Sequence, residues 1–142
     1  HIMIRYELEK QLIAGTLAVK DLPAAWNKLY TEYLGVDVPN DTQGVLQDSH
    51  WSGGAFGYFP SYALGSAYGA QMLKVMERDI PVWELVLKGD LKPIVAWLTD
   101  RIYKYGCLLK PNELILKACE APFDPHCYVE YLKNKYTAVY GL

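Results

Sequence analysis

Gly44-Val-Leu-Gln-Asp-Ser-His-Trp51 places a histidine two residues after a carboxylate and directly before an indole, and Tyr58 and Tyr62 follow it. If this stretch is extended, residues two apart share a face, so Asp48 and His50 point together while Gln47, Ser49 and Trp51 face the other way. A carboxylate so placed can accept a hydrogen bond from one ring nitrogen, fix the tautomer and leave the second nitrogen free for a ligand. The alternative is a structural hydrogen-bond node, the common fate of a histidine next to an aspartate and a tryptophan.

The remaining chemistry-bearing residues are sparse. His1, His50 and His126 are the only histidines, too far apart to set two imidazoles on one helical turn as a zinc-binding helix does. Cys107, Cys119 and Cys127 are odd in number and lack a C-x-x-C spacing, so they read as reduced, buried, small hydrophobic residues of a cytoplasmic protein. A net charge of -2 with both signs interspersed provides no basic footprint for nucleic acid and no polybasic stripe for lipid. Arg5, Glu7, Glu9 and Lys10 interrupt any apolar signal region. No Asp, Glu, Lys or Arg occurs from Ser49 to Leu73, but Pro60 and five glycines break that run as a membrane helix. It reads instead as packed inside or lining a cavity.

The elements that must position these groups are helices. A chain of 142 residues, half apolar and a fifth charged, suits one domain over 1–142 with a real core. Ile4, Leu8, Leu12 and Ile13 recur at helical spacing up to Gly15, with no capping residue ahead, as in a chain cut within a helix. Asp21 and Pro23 open a second helix carrying Trp26, Leu29, Tyr30, Tyr33 and Leu34, closed by Gly35. From Val36 to Phe59 the periodicity is lost, and a loop of that length, with a short hairpin as one option, is the default site. A helix from Ser61 to about Asp79 follows, whose Gly65, Gly69 and alanines would admit a close neighbour. Asp90 caps a helix through Ile94, Val95, Leu98, Ile102 and Tyr105 to Gly106; Pro111 and Asp124-Pro125 open two more. The fold class is all-α.

The signature from Gly44 to Trp51, the Phe59-Pro-Ser-Tyr62 segment and the Arg5-Tyr-Glu-Leu-Glu9 helix resemble, in order, motifs of the carboxypeptidase Taq family. Those enzymes are mostly helical zinc metallocarboxypeptidases that remove residues from peptide C-termini. The resemblance implies that this is the C-terminal part of such an enzyme, acting on a peptide C-terminus through a zinc-activated water. It further implies zinc, with cobalt as the alternative, and a homodimer in the full-length protein. Carried over residue by residue, His50 and Tyr62 become the groups that stabilise the oxyanion, with Tyr58 as the rival tyrosine. Arg5 and Gln47 become candidates for substrate binding, and Asp48 and Trp51 the support for His50. Arg5 has a second option, an exposed i,i+4 pair with Glu9.

The family's His-Glu-x-x-His motif and its later glutamate are missing from this sequence. By that comparison the isolated chain is expected to bind no zinc and to hydrolyse nothing without the missing N-terminal part. The competing function is a non-catalytic helical module that binds peptide or protein.

Overall fold

Ile4 and Leu8, four residues apart on one face, are fully buried and anchor the first helix in the core. In the computed structural model, which describes residues 1–142, this helix is α1, Ile2–Ile13. The other helices are α2 Leu22–Leu34, α3 Phe59–Asp79, α4 Val82–Lys88, α5 Lys92–Arg101, α6 Pro111–Cys119 and α7 His126–Tyr140, and the protein contains no strand. The all-α expectation therefore holds. Contacts divide the chain into two compact units, His1–Leu64 and Gly65–Leu142.

In the first unit Ile4 and Leu8 of α1 close on Trp26 of α2, with Leu17, Leu22, Leu29, Tyr30, Val38, Val45 and Trp51 packed around them. Removing each such aliphatic side chain from water contributes roughly 1.5–3 kcal/mol. Helix α2 begins where Pro23 fixes φ for a first turn, although the Asp21 side chain makes no capping hydrogen bond. It ends where Gly35 enters the left-handed region at φ 63°.

The long irregular segment is present, but the hairpin option is not realised. Two single turns of 3-10 helix, Asp41–Gln43 and Val45–Gln47, are followed by a tight turn in which Ala55 N–H donates to the His50 carbonyl at 2.8 Å. Side chains satisfy the backbone locally, as where Gln43 N–H donates to Asn40 Oδ1 at 3.0 Å, and a local bond of this kind competes with a strand ladder. Gly44 is buried here, and a Cβ on it would lie 2.6 Å from Val38 Cγ1.

The second unit packs Met76 of α3, Val82 of α4 and Trp97 of α5 into its core. Gln71, buried on α3, holds the turn before α7: its Nε2 donates to Pro122 O and its Oε1 accepts from Asp124 N–H, each at 2.9 Å. Asp124 in turn accepts from His126 N–H at 3.0 Å, the helix start that the Asp-Pro pair predicts.

Three expectations change, and one helix is added: α4, which lies between Pro81 and a Gly89 in the left-handed region at φ 70°. Helix α5 stops at Arg101, because Ile102 leaves the helical region at φ -126°, and Tyr103–Tyr105 form a separate 3-10 turn. Cys107 is exposed rather than buried, since it follows that turn and lies on no helix face. Gly65 and Gly69 have open space where a Cβ would stand, so the small-residue face of α3 has no close neighbour there.

Candidate functional site

The site is built from the first two turns of α1, the 48–57 loop and the first turn of α3, all within the first unit. Arg5 Nε donates to Asp48 Oδ2 at 2.8 Å, and the paired side chains are 11% and 2% exposed. The guanidinium lies 4.7 Å from the Trp26 ring centre, and Arg5 Nη1 reaches His1 Nδ1 at 2.7 Å and the Tyr30 hydroxyl at 3.4 Å. A buried charge must be paired, and a flat guanidinium both stacks on an indole and forks toward oxygen acceptors.

Asp48 uses its other oxygen on the loop. Oδ1 accepts from the backbone N–H groups of His50 at 3.0 Å and Trp51 at 2.9 Å. The His50 ring nitrogen Nδ1 lies 3.6 Å from Asp48 Oδ2, within ion-pair reach but too long for a hydrogen bond. Asp48 therefore fixes His50 through its main chain rather than through its ring. Asp48 is in extended backbone and its carboxylate does face the imidazole, as the two-residue spacing predicts, but its oxygens are occupied by Arg5 and by the two loop N–H groups.

Aromatic neighbours orient the His50 ring. Phe59 is fully buried with its ring centre 5.0 Å away, Tyr58 lies nearly parallel at 6.0 Å, and Tyr62 meets it edge-on at 6.0 Å. His50 Nε2 lies 3.3 Å from the Tyr62 hydroxyl. With the ring proton on Nδ1, toward Asp48, the hydroxyl donates to Nε2; with the proton on Nε2, the ring donates to the hydroxyl oxygen. Tyr58 and Tyr62 contact each other edge-to-face at 5.0 Å.

The His50 side chain is 30% exposed and the two tyrosines 46%. An imidazole and two phenols thus converge at the surface, backed by buried Phe59. His50 and Tyr62, whose polar atoms lie together, can turn two hydrogen-bond donors toward one anionic oxygen. The Ser49–Leu73 stretch, expected inside or lining a cavity, has Phe56, Tyr58, Tyr62 and Leu64 on the surface of this chain.

Of the sequence-expected residues, His50, Tyr62, Tyr58, Asp48, Trp51 and Arg5 form one connected cluster. Gln47 does not join it, because its amide donates to the Thr42 carbonyl at 2.6 Å. Arg5 belongs to the cluster from beneath, committed to Asp48 instead of to the i,i+4 pair with Glu9. Glu9 was overlooked: it is buried, and its carboxylate accepts from the Trp51 indole Nε1 at 2.9 Å and from Gly57 N–H. A usable signal existed in the sequence, since Arg5 and Glu9 interleave with Ile4 and Leu8 and must share the buried face of α1.

No three His, Cys, Asp or Glu side chains converge so as to hold a metal ion. The residues of this chain therefore do not fit the zinc centre that the resemblance implies. No helix is long and apolar enough to cross a membrane.

Residues 1–136 match the family model described as Carboxypeptidase Taq (M32) metallopeptidase. The chain is 43% identical to Carboxypeptidase 1 of Bacillus subtilis, covering 100% of this chain and 28% of that protein. It is 40% identical to Thermostable carboxypeptidase 1 of Thermus thermophilus, covering 99% and 28%. Among solved structures, the M32 carboxypeptidase of Deinococcus radiodurans superposes with a TM-score of 0.94 at 35% identity, covering 100% of this chain and 29% of that one. Metallocarboxypeptidase 1 of Trypanosoma cruzi does so with a TM-score of 0.92 at 38% identity, covering 96% and 28%. The chain thus spans between a quarter and a third of the length of these relatives.

Proposed function

The chain belongs to the Carboxypeptidase Taq (M32) metallopeptidase family, and from that premise we propose that it is the C-terminal portion of a zinc carboxypeptidase that hydrolyses the last peptide bond of its substrate. The zinc, or cobalt in its place, is held by polypeptide outside these residues. The present chain supplies the groups that receive the substrate and its developing charge.

Peptide hydrolysis passes through a tetrahedral species bearing a new oxyanion, and donors already aimed at that oxygen lower the barrier. His50 and Tyr62 are assigned that role. The carrying observation is their 3.3 Å approach at an accessible surface, on a ring wedged by Phe59 and a loop pinned by Asp48. Tyr58 lies against both rings and is assigned to substrate binding. Arg5 is assigned to holding Asp48 instead of the substrate carboxylate, because its Nε is already paired and its charge is buried. Gln47 is left on the outer face of the loop, bonded to Thr42.

By itself the chain is expected to hydrolyse nothing. The whole enzyme is expected to be a homodimer acting on a peptide C-terminus, and exposed apolar side chains such as Trp83, Leu87 and Val139 offer surface an assembly would cover. Three unpaired cysteines fit a reducing cytoplasm.

A second reading, a helical module that binds peptide without chemistry, rests on the half-exposed Tyr58 and Tyr62 beside His50, an aromatic surface that can hold a peptide whether or not hydrolysis follows. The two separate in one assay: release of C-terminal residues by the full-length protein, with and without chelator, and with zinc restored. Hydrolysis that chelator abolishes and zinc restores supports the first reading. A full-length protein inactive at every zinc level, or activity indifferent to His50→Ala and Tyr62→Phe, sinks it.

A further inference from the structure

Arg5 and Glu9 lie four residues apart on the buried face of α1, close enough in sequence for the common i,i+4 ion pair. They are instead turned to different parts of the 48–57 loop. Arg5 takes the start of the loop by binding Asp48. Glu9, 6% exposed, takes its two later points: the indole N–H of Trp51, next to His50, and the backbone N–H of Gly57, next to Tyr58.

Gly57 is in the left-handed region at φ 76°, which turns the chain so that its N–H faces the carboxylate while Tyr58 emerges on the outer side. Trp51 is gripped further by edge contacts with Trp26, at 6.3 Å, and Phe59, at 5.9 Å. A carboxylate is the group suited to this place, because it has acceptors on both oxygens and no hydrogen to collide with either N–H. We propose that Glu9 is a positioning residue: it closes the 51–57 turn and sets the separation of the His50 and Tyr58 rings, without touching substrate. The inference rests on the role assigned above to His50, Tyr58 and Tyr62.

Glutamine at position 9 has the same shape but one acceptor and one donor, so either Trp51 or Gly57 must face an N–H. In the full-length enzyme E9Q should lower kcat roughly ten- to a hundredfold with KM little changed, the scale expected of a small misplacement of reacting groups. Metal content and thermal midpoint should stay near the parent's. W51F removes the indole donor together with part of the packing on Trp26 and Phe59, keeps the Gly57 bond to Glu9, and should show a smaller kcat loss. The double variant E9Q/W51F should be no worse than E9Q, because the single amide oxygen can then serve Gly57 and the two losses overlap.

A direct readout of placement comes from 5-fluorotryptophan incorporation, with the Trp51 signal assigned by its disappearance in W51F. E9Q should shift that signal. Parental turnover in E9Q, an unmoved fluorine signal, losses that multiply in the double variant, or a kcat loss matched by a lowered thermal midpoint each overturn the inference. If E9Q does not fold, W51F decides: an unchanged kcat overturns the proposal and a loss at constant KM supports it. Failure of the underlying reading looks different, since His50→Ala would then keep parental turnover while the fluorine signal still reports whether Glu9 holds the loop.

Discussion

Arg5 and Asp48, 43 positions apart, meet in a 2.8 Å ion pair that is almost removed from solvent. Asp48 passes that restraint to the backbone of His50 and Trp51, so a residue of the first helix governs where the imidazole stands. Arg5→Ala should leave the buried Asp48 without its cationic partner, held only by two loop N–H groups, and destabilise the fold by about 3–5 kcal/mol. Denaturant unfolding measures this. Arg5→Lys should recover little, since an ammonium cannot both stack on Trp26 and match the fork.

Tyr58 and Tyr62 differ in what they contact, and their variants should differ in kinetics. Tyr62 reaches His50 Nε2, so Tyr62→Phe in the complete enzyme should lower kcat about a hundredfold or more, as loss of an oxyanion donor does. Tyr58 stacks on the imidazole face through its ring, which phenylalanine retains, so Tyr58→Phe should act mainly on KM. Steady-state kinetics on both variants check the assignment, and a reversed pattern exchanges the two roles.

Gly44, the first residue of the signature, is required for space. A methyl group there would press on Val38 Cγ1 at 2.6 Å and the Asn40 carbonyl at 3.1 Å. Gly44→Ala should cost about 1–3 kcal/mol, as overpacking does, and should loosen the loop that precedes His50. Thermal unfolding and limited proteolysis of the 36–47 segment report it.

Asp79 should govern part of the acid response of the second unit. Hydrogen bonds from the Trp97 indole and from Arg78, with Arg101 nearby, hold its carboxyl below the ordinary aspartate range. A group whose folded pKa is depressed stabilises the fold above its unfolded value, and that contribution is lost as pH falls through the folded one. Thermal midpoints should therefore drop below about pH 4, and Asp79→Asn should flatten that drop.

The cysteines should react in a fixed order. Cys107 is exposed, whereas burial pushes the Cys119 thiol up and shields it. Iodoacetamide at neutral pH, followed by mass spectrometry, should find Cys107 modified first and Cys119 last. Modification of Cys119 ahead of Cys107 would mean that the α6 end opens in solution.

The sequence alone determined what depends on near neighbours. Helical spacing of Ile4 and Leu8, Pro23 before Trp26, the glycine stop at 35 and the Asp124-Pro125 start are local devices, and each is legible without knowing what lies across the core. The signature around His50 was equally plain, because its residue types and order survive as text. Tertiary structure decided the rest. Asp48 turned out to hold the main chain of His50 and not its ring, since Arg5 and two loop N–H groups occupy its oxygens although the imidazole lies only 3.6 Å away. Gln47 was drawn to Thr42. Arg5 and Glu9, which helix rules would pair with each other, each found a loop partner more than forty residues away, because both lie on the buried stripe where an unpaired charge is most costly. Which distant groups arrive to satisfy them is fixed only when the loop closes over the helix.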